Sequence, residues 1–140
     1  MKKEMKSVGT IFSDLDLSSD FAIIVLARKG VHTKVFYEFA EAIKMPEKNL
    51  AAMINLSSRT ISNYSEAGKN LDAPQGEHLL KLIALYEKGE LLFGNTSEFN
   101  YWLAKPSWNS AEKPVSWLTT SGGVGFISAE LDRLAQGYPA

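Results

Sequence analysis

Apolar side chains recur along this chain at spacings of three and four residues, and no stretch of useful length alternates apolar with polar. That periodicity predicts helices and no sheet, an all-α class. Residues 1–17 carry Lys2, Lys3 and Lys6 with little periodicity and read as a flexible N-terminal arm. A first helix follows Ser18 or Ser19 as cap, continues through Phe21, Ile24, Val25 and Ala27, and stops at Gly30. Thr33 can cap a second, in which Val35, Phe36, Phe39, Ala40 and Ile43 form a stripe that ends before Pro46. Pro46 suits the first turn of a third helix, with Leu50, Met53 and Ile54 facing inward. A fourth runs from Ser57 to about Glu66, and Gly68 and Asn70 mark its exit.

Residues 74–93 make the longest helix, with Leu79, Leu80, Ile83, Tyr86, Leu91 and Leu92 on a wide stripe and a possible break at Gly89. The Gly94-Asn95 pair is a turn signal and the expected boundary between a domain of residues 18–94 and a smaller one of residues 95–140. Beyond it the pattern gives an amphipathic helix over "TSEFNYWLAK", a loop over "PSWNSAEKP", a short helix over "PVSWLTT", and a last helix from about Val124 to Gln136.

The third and fourth helices have the spacing of a helix-turn-helix. Ala51 is the small residue that allows a close crossing, and Asn55 is a turn residue that tolerates left-handed geometry. Leu50, Ile54, Leu56, Ile61 and Tyr64 would lock the pair together. On that reading Ser57 caps the recognition helix, and Ser58, Arg59, Thr60, Ser62 and Asn63 face outward from its N-terminal half. Hydroxyls and a helix N-terminus suit phosphate oxygens, while Arg and Asn can make paired contacts to guanine and adenine edges. The alternative is a capped, solvated surface helix. Local charge favours neither strongly: between Glu47 and Lys69, three positive side chains stand against two negative, a net of +1. Phosphate attraction would need help from dimerisation or the N-terminal lysines.

With 45% hydrophobic residues in 140, the chain can bury a real core. It has no cysteine, hence no disulfide and no thiolate metal site, and the formal net charge of −1 argues against a protein that coats nucleic acid with its whole surface. "FAIIVLA" at residues 21–27 is too short to span a bilayer, and the N-terminus lacks a secretory apolar segment, so a soluble cytoplasmic protein is expected. His32 and His78 lie in unrelated segments and are expected in surface or capping roles; "SGGVG" at 121–125 lacks the strand and lysine of a phosphate loop and reads as a turn. No catalytic motif stands out, and neither an enzyme nor a cofactor is expected.

The final third reads "FNYWLAKP" and then "PVSWLTTSGGVGFISAELDRLAQGYPA". With "LSSRTISNY" and "LLKLIALYEKGELLFGN" upstream, the chain resembles the Xre/MbcA/ParS family of antitoxins over about residues 20–138. The family's C-terminal pattern looks to be carried by Trp102, Leu103, Pro106, Pro114, Trp117, Leu118, Thr120, Gly123, Ile127, Leu131, Arg133 and Gly137. Two departures stand out: Asn109, Ser110 and Ala111 replace a usual Leu-Gly-Gly, and Trp117 replaces a commoner leucine. The resemblance implies an Xre-like helix-turn-helix domain followed by a small helical toxin-binding domain. It further implies neutralisation of a cognate RES-domain toxin, one that consumes NAD or transfers its ADP-ribose, by covering the toxin's active site. Autorepression through operator DNA would accompany it, in a homodimer or a hetero-oligomer with the toxin.

On this reading the toxin-binding residues are Trp108, Trp117, Thr120, Phe126, Arg133, Gly137 and Tyr138, where aromatic area is concentrated as in binding hot spots. The competing reading makes the aromatics the core of a small domain, most strongly for Trp102 and Trp117. A second functional reading is a stand-alone helix-turn-helix regulator whose C-terminal segment dimerises it. A third is an interaction module that has lost DNA binding.

Overall fold

A computed structural model of the chain describes residues 7–106 and 111–137. In order these form α1 (Val8–Ile11), α2 (Asp20–Lys29), α3 (Thr33–Ala42), α4 (Glu47–Met53), α5 (Ser58–Glu66), α6 (Ala73–Phe93), α7 (Thr96–Leu103), a 3₁₀ helix (Pro114–Thr119) and α8 (Ser121–Ala135). The fold is all-α; among the described residues, extended pairing is limited to a bridge in which Leu71 N–H donates to the Val31 carbonyl at 2.9 Å. Among the same residues, no helix is long and apolar enough to cross a membrane.

Helix α6 is the spine. Pro74 opens it where no backbone donor is needed, and Leu79, Leu80, Leu82, Ile83, Leu85 and Tyr86 are all buried, so the helix is enclosed on most sides. Helices α1, α2, α7 and α8 pack against it, while α3, α4 and α5 pack on one another. Phe12, Phe39, Tyr86 and Phe99 make successive edge-on ring contacts, with centroids 4.9–6.2 Å apart, that tie these groups together. The Tyr86 hydroxyl donates to Asn100 Oδ1 at 2.7 Å, and Asn100 Nδ2 donates to the Ile43 carbonyl at 3.0 Å. Burial pushes the Tyr86 hydroxyl well above its ordinary pKa, so it stays a donor.

Several local features depart from what spacing suggested. Residues 7–12, expected within a flexible arm, are docked: Val8 and Phe12 are buried, and Val8 N–H donates to Glu90 at 2.8 Å. A four-residue helix cannot hold by itself, and two apolar residues are too few to show a period; packing on α6 supplies the stability. At Gly89 α6 runs straight through. A Cβ there would overlap the Phe99 ring, so the glycine serves the close approach of α7 rather than a break. "PVSWLT" winds as 3₁₀ helix, and α8 starts at Ser121, ahead of the expected Val124, which makes "SGGVG" its first turn. Thr120 fixes that start by accepting Gly123 N–H at 2.9 Å, and a Cβ on Gly123 would overlap the Trp117 carbonyl oxygen.

Candidate functional site

The α4–turn–α5 unit has the geometry its spacing requires. Asn55 adopts φ 65°, the left-handed conformation that reverses the chain, and the Ala51 carbonyl accepts Leu56 N–H at 2.9 Å across the turn. Leu50, Ala51, Ile54 and Ile61 are buried, with Leu56 and Tyr64 packed against that core. Ser57 caps α5, its hydroxyl accepting Thr60 N–H at 3.0 Å and pairing with the Thr60 hydroxyl at 2.8 Å. Ser57, Ser58, Arg59, Ser62 and Asn63 are exposed, whereas Thr60 is half-buried. At the exit, Lys69 Nζ sits 4.3 Å above the Tyr64 ring. The outward face thus offers hydroxyls, one guanidinium and one amide, backed by an apolar face that fixes its orientation.

In the C-terminal segment, burial separates the motif into two sets. Leu103, Pro114, Leu118, Gly123, Ile127 and Leu131 are buried and build the fold. Trp102 is half-buried, its ring 5.6 Å from Phe93 and 6.1 Å from Phe99, so this tryptophan is a packing residue. Trp117 and Phe126 differ: they are 42% and 49% exposed, and their rings lie 5.2 Å apart. Thr120, Arg133 and Gly137 are also exposed. Arg133 stands one heptad beyond Phe126 on α8, on the same side of the helix. Thr120 also has a local task as the α8 cap, and Gly137, at φ 88°, ends that helix. Trp108 and Tyr138 lie outside the described residues.

The two faces are joined by side chains that spacing did not reveal. The Asn55 amide donates to the Thr119 carbonyl at 3.3 Å, linking the helix-turn-helix turn to the 3₁₀ helix. His78, expected at the surface or as a cap, is instead buried, and its Nε2–H donates to the Leu118 carbonyl at 2.8 Å. Burial lowers its pKa from the ordinary 6.5; the Leu118 bond and Glu77 oppose this, and Lys81 adds to it. The misplacement has a simple source: α6 is apolar on so many sides that a polar residue between leucines can still lie inside. His32 does cap, its Nδ1 accepting Lys34 N–H at 3.0 Å. Lys81 donates to Ser121 Oγ at 2.8 Å and Lys88 to Ser128 Oγ at 2.7 Å. These lysines and their serines are each one heptad apart, a signal that was available in the sequence once α6 and α8 were paired.

Comparison with known proteins agrees with this geometry. Residues 22–84 match the family model described as "Antitoxin Xre-like helix-turn-helix domain". The chain is also similar to an "Antitoxin Xre" of Pseudomonas putida, at 25% identity over 130 residues that span 88% of this chain and 77% of that protein. The matched residues run from α2 into α6 and enclose both helices of the α4–α5 unit. Residues 22–84 are therefore an antitoxin Xre-like helix-turn-helix domain.

Proposed function

We propose that this chain is a non-catalytic antitoxin of the cytoplasm, in which residues 95–140 bind and neutralise a toxin and the α5 face of residues 18–94 reads operator DNA. The observation that carries the toxin-binding half is the Trp117–Phe126 pair, two touching aromatic rings left about half exposed on helices that are otherwise firmly packed. Large aromatics on a rigid support, with an arginine on the same helix face, are the residue types that dominate binding energy at protein interfaces. Similarity to an antitoxin across most of the chain, and not over residues 22–84 alone, supports the same assignment. The partner we infer is a RES-domain toxin, following the C-terminal motif, with the Trp117–Phe126 face covering its NAD-binding active site.

For the DNA-reading half, Ser57, Ser58, Arg59, Ser62 and Asn63 are the contact residues, with Thr60 holding the cap. A single copy brings little positive charge to the phosphates, so autorepression calls for at least two copies on the operator. Co-expression with the product of the neighbouring gene tests both halves. The native chain should restore growth and cellular NAD and co-purify with the toxin; Trp117→Glu/Phe126→Glu should lose all three, and Arg59→Ala should lose only operator binding. If the aromatic variant still protects cells, the inhibitory surface lies elsewhere. A neighbouring product that is neither toxic nor bound, with salt-dependent binding to upstream DNA retained, would replace the antitoxin by a stand-alone regulator.

A further inference from the structure

Helix α2 buries Ile23 and Ala27 against α6, yet its opposite face is also apolar. Phe21 is 75% exposed and Ile24 37%, Val25 is half-buried, and Arg28 closes the stripe; at 100° per residue these four lie within one arc of the helix. None of them belongs to the α5 face or to the Trp117–Phe126 face. The charge around the stripe is ordered. Asp14, Asp16 and Asp20 precede it, and Arg28 and Lys29 follow it. Among the described residues, neither Asp20 nor Arg28 forms an ion pair within the chain.

An acidic start, an apolar middle and a basic end make a segment complementary to itself when reversed. We propose that α2 is the dimer contact of this protein, packing antiparallel against α2 of a second copy about a twofold axis at Ile24. Ile24 meets Ile24 of the second copy, and Asp20 meets Arg28 of the second copy at both ends. Asp20 and Arg28 are eight residues apart, about 12 Å along a helix, so the two charge pairs flank the apolar centre. Arg28 also reaches the face of Phe21 in the second copy, where a guanidinium stacks well. Such an isologous contact makes every interaction off the axis twice, the Asp20–Arg28 pair included.

The contact also sets the spacing of the two reading heads. A Cβ on Gly30, at the end of α2, would overlap the Asn70 side chain just past α5, so the two segments lie in direct contact there. In this respect alone the inference rests on the DNA-reading role proposed above; the α2 contact itself stands without it.

Sedimentation equilibrium of the full chain over a wide concentration range tests the proposal, with circular dichroism to check folding. The native chain should reach a dimer, and Phe21→Glu, which replaces an exposed side chain, should be monomeric with unchanged helicity. Asp20→Arg and Arg28→Asp should each weaken dimerisation roughly tenfold, and the double variant should recover most of that loss because the pair is merely reversed. A native chain that stays monomeric throughout, a Phe21→Glu dimer, or a double variant no better than the singles would overturn the proposal. Toxin neutralisation separates the two readings: a Phe21→Glu monomer that still protects retains the antitoxin role, whereas a native dimer that fails to protect removes that role and leaves the α2 contact standing.

Discussion

The side-chain amide of Asn55, in the turn of the helix-turn-helix, donates to the backbone carbonyl of Thr119, the last residue of the 3₁₀ helix, at 3.3 Å. The residue that reverses the chain into α5 is therefore also a tether for the segment that carries Trp117. Because Asn55 has φ 65°, its two tasks can be separated. Asn55→Gly keeps the turn and removes the tether, and should cost about 0.5–1.5 kcal/mol in urea unfolding. Asn55→Val forces a β-branched residue into left-handed geometry and should cost about 1–2 kcal/mol more. Equal costs would mean that the tether, not the conformation, matters at this position.

His78 gives the packing of the 3₁₀ helix on α6 a pH dependence. Its folded pKa lies below the ordinary 6.5, chiefly because burial disfavours the imidazolium. The unfolded chain therefore takes up the proton first as pH falls. The stabilisation is complete above pH 6.5, is lost as pH falls from there through the folded pKa, and changes no further below it. His78→Gln, which cannot titrate, should flatten that part of the stability profile. An unaltered profile would assign the dependence to other groups.

The glycines of the first turn of α8 should respond in opposite directions. A Cβ on Gly122 meets nothing, so Gly122→Ala should stabilise by about 0.5–1 kcal/mol through helix propensity and a less flexible unfolded chain. Gly123→Ala collides with the Trp117 carbonyl oxygen, and should cost about 1–3 kcal/mol by displacing the 3₁₀ helix. Thermal melts of the two variants decide it, and similar shifts of one sign would refute the account. The same collision makes Gly123→Ala a route to disturbing the Trp117 face without touching its side chains.

Lys88 donates to Ser128 and also pairs with Asp132 at 2.8 Å, holding α8 against α6 over its second half. The pair is partly exposed, so Asp132→Asn should cost no more than about 1 kcal/mol in solution. Salt should diminish the difference between the native chain and the variant. A difference that persists at high salt would point to packing at Asp132 in place of charge.

Removing everything beyond residue 94 is a poor way to separate the two proposed functions. Phe99, Leu103, Leu118, Val124, Ile127 and Leu131 belong to the same continuous core as Leu79 and Ile83. Truncation would strip apolar cover from α6, and loss of activity would then report unfolding as readily as a lost contact. Point changes at Trp117, Phe126 and Arg59, all at the surface, avoid this.

By itself the sequence determined the helices from α2 to α7 and the helix-turn-helix. Those features are local: caps such as Ser19, Ser57 and Asn95 act within three residues, and the apolar stripes repeat within one element. Asn55 was legible as the turn for the same reason, since its conformation is a property of the residue type. Only the tertiary structure decided which apolar residues stay exposed. Trp102 and Trp117 look alike in sequence, but the first rests on Phe93 and Phe99 while the second keeps a face in solvent beside Phe126. Phe21 likewise sits in an apolar run whose other face already fills the space against α6. Docking of α1, the interior position of His78 and the tether from Asn55 to Thr119 each depend on partners tens of residues away. Periodicity reports that a residue can be buried; it carries no information on whether a neighbour is there to bury it.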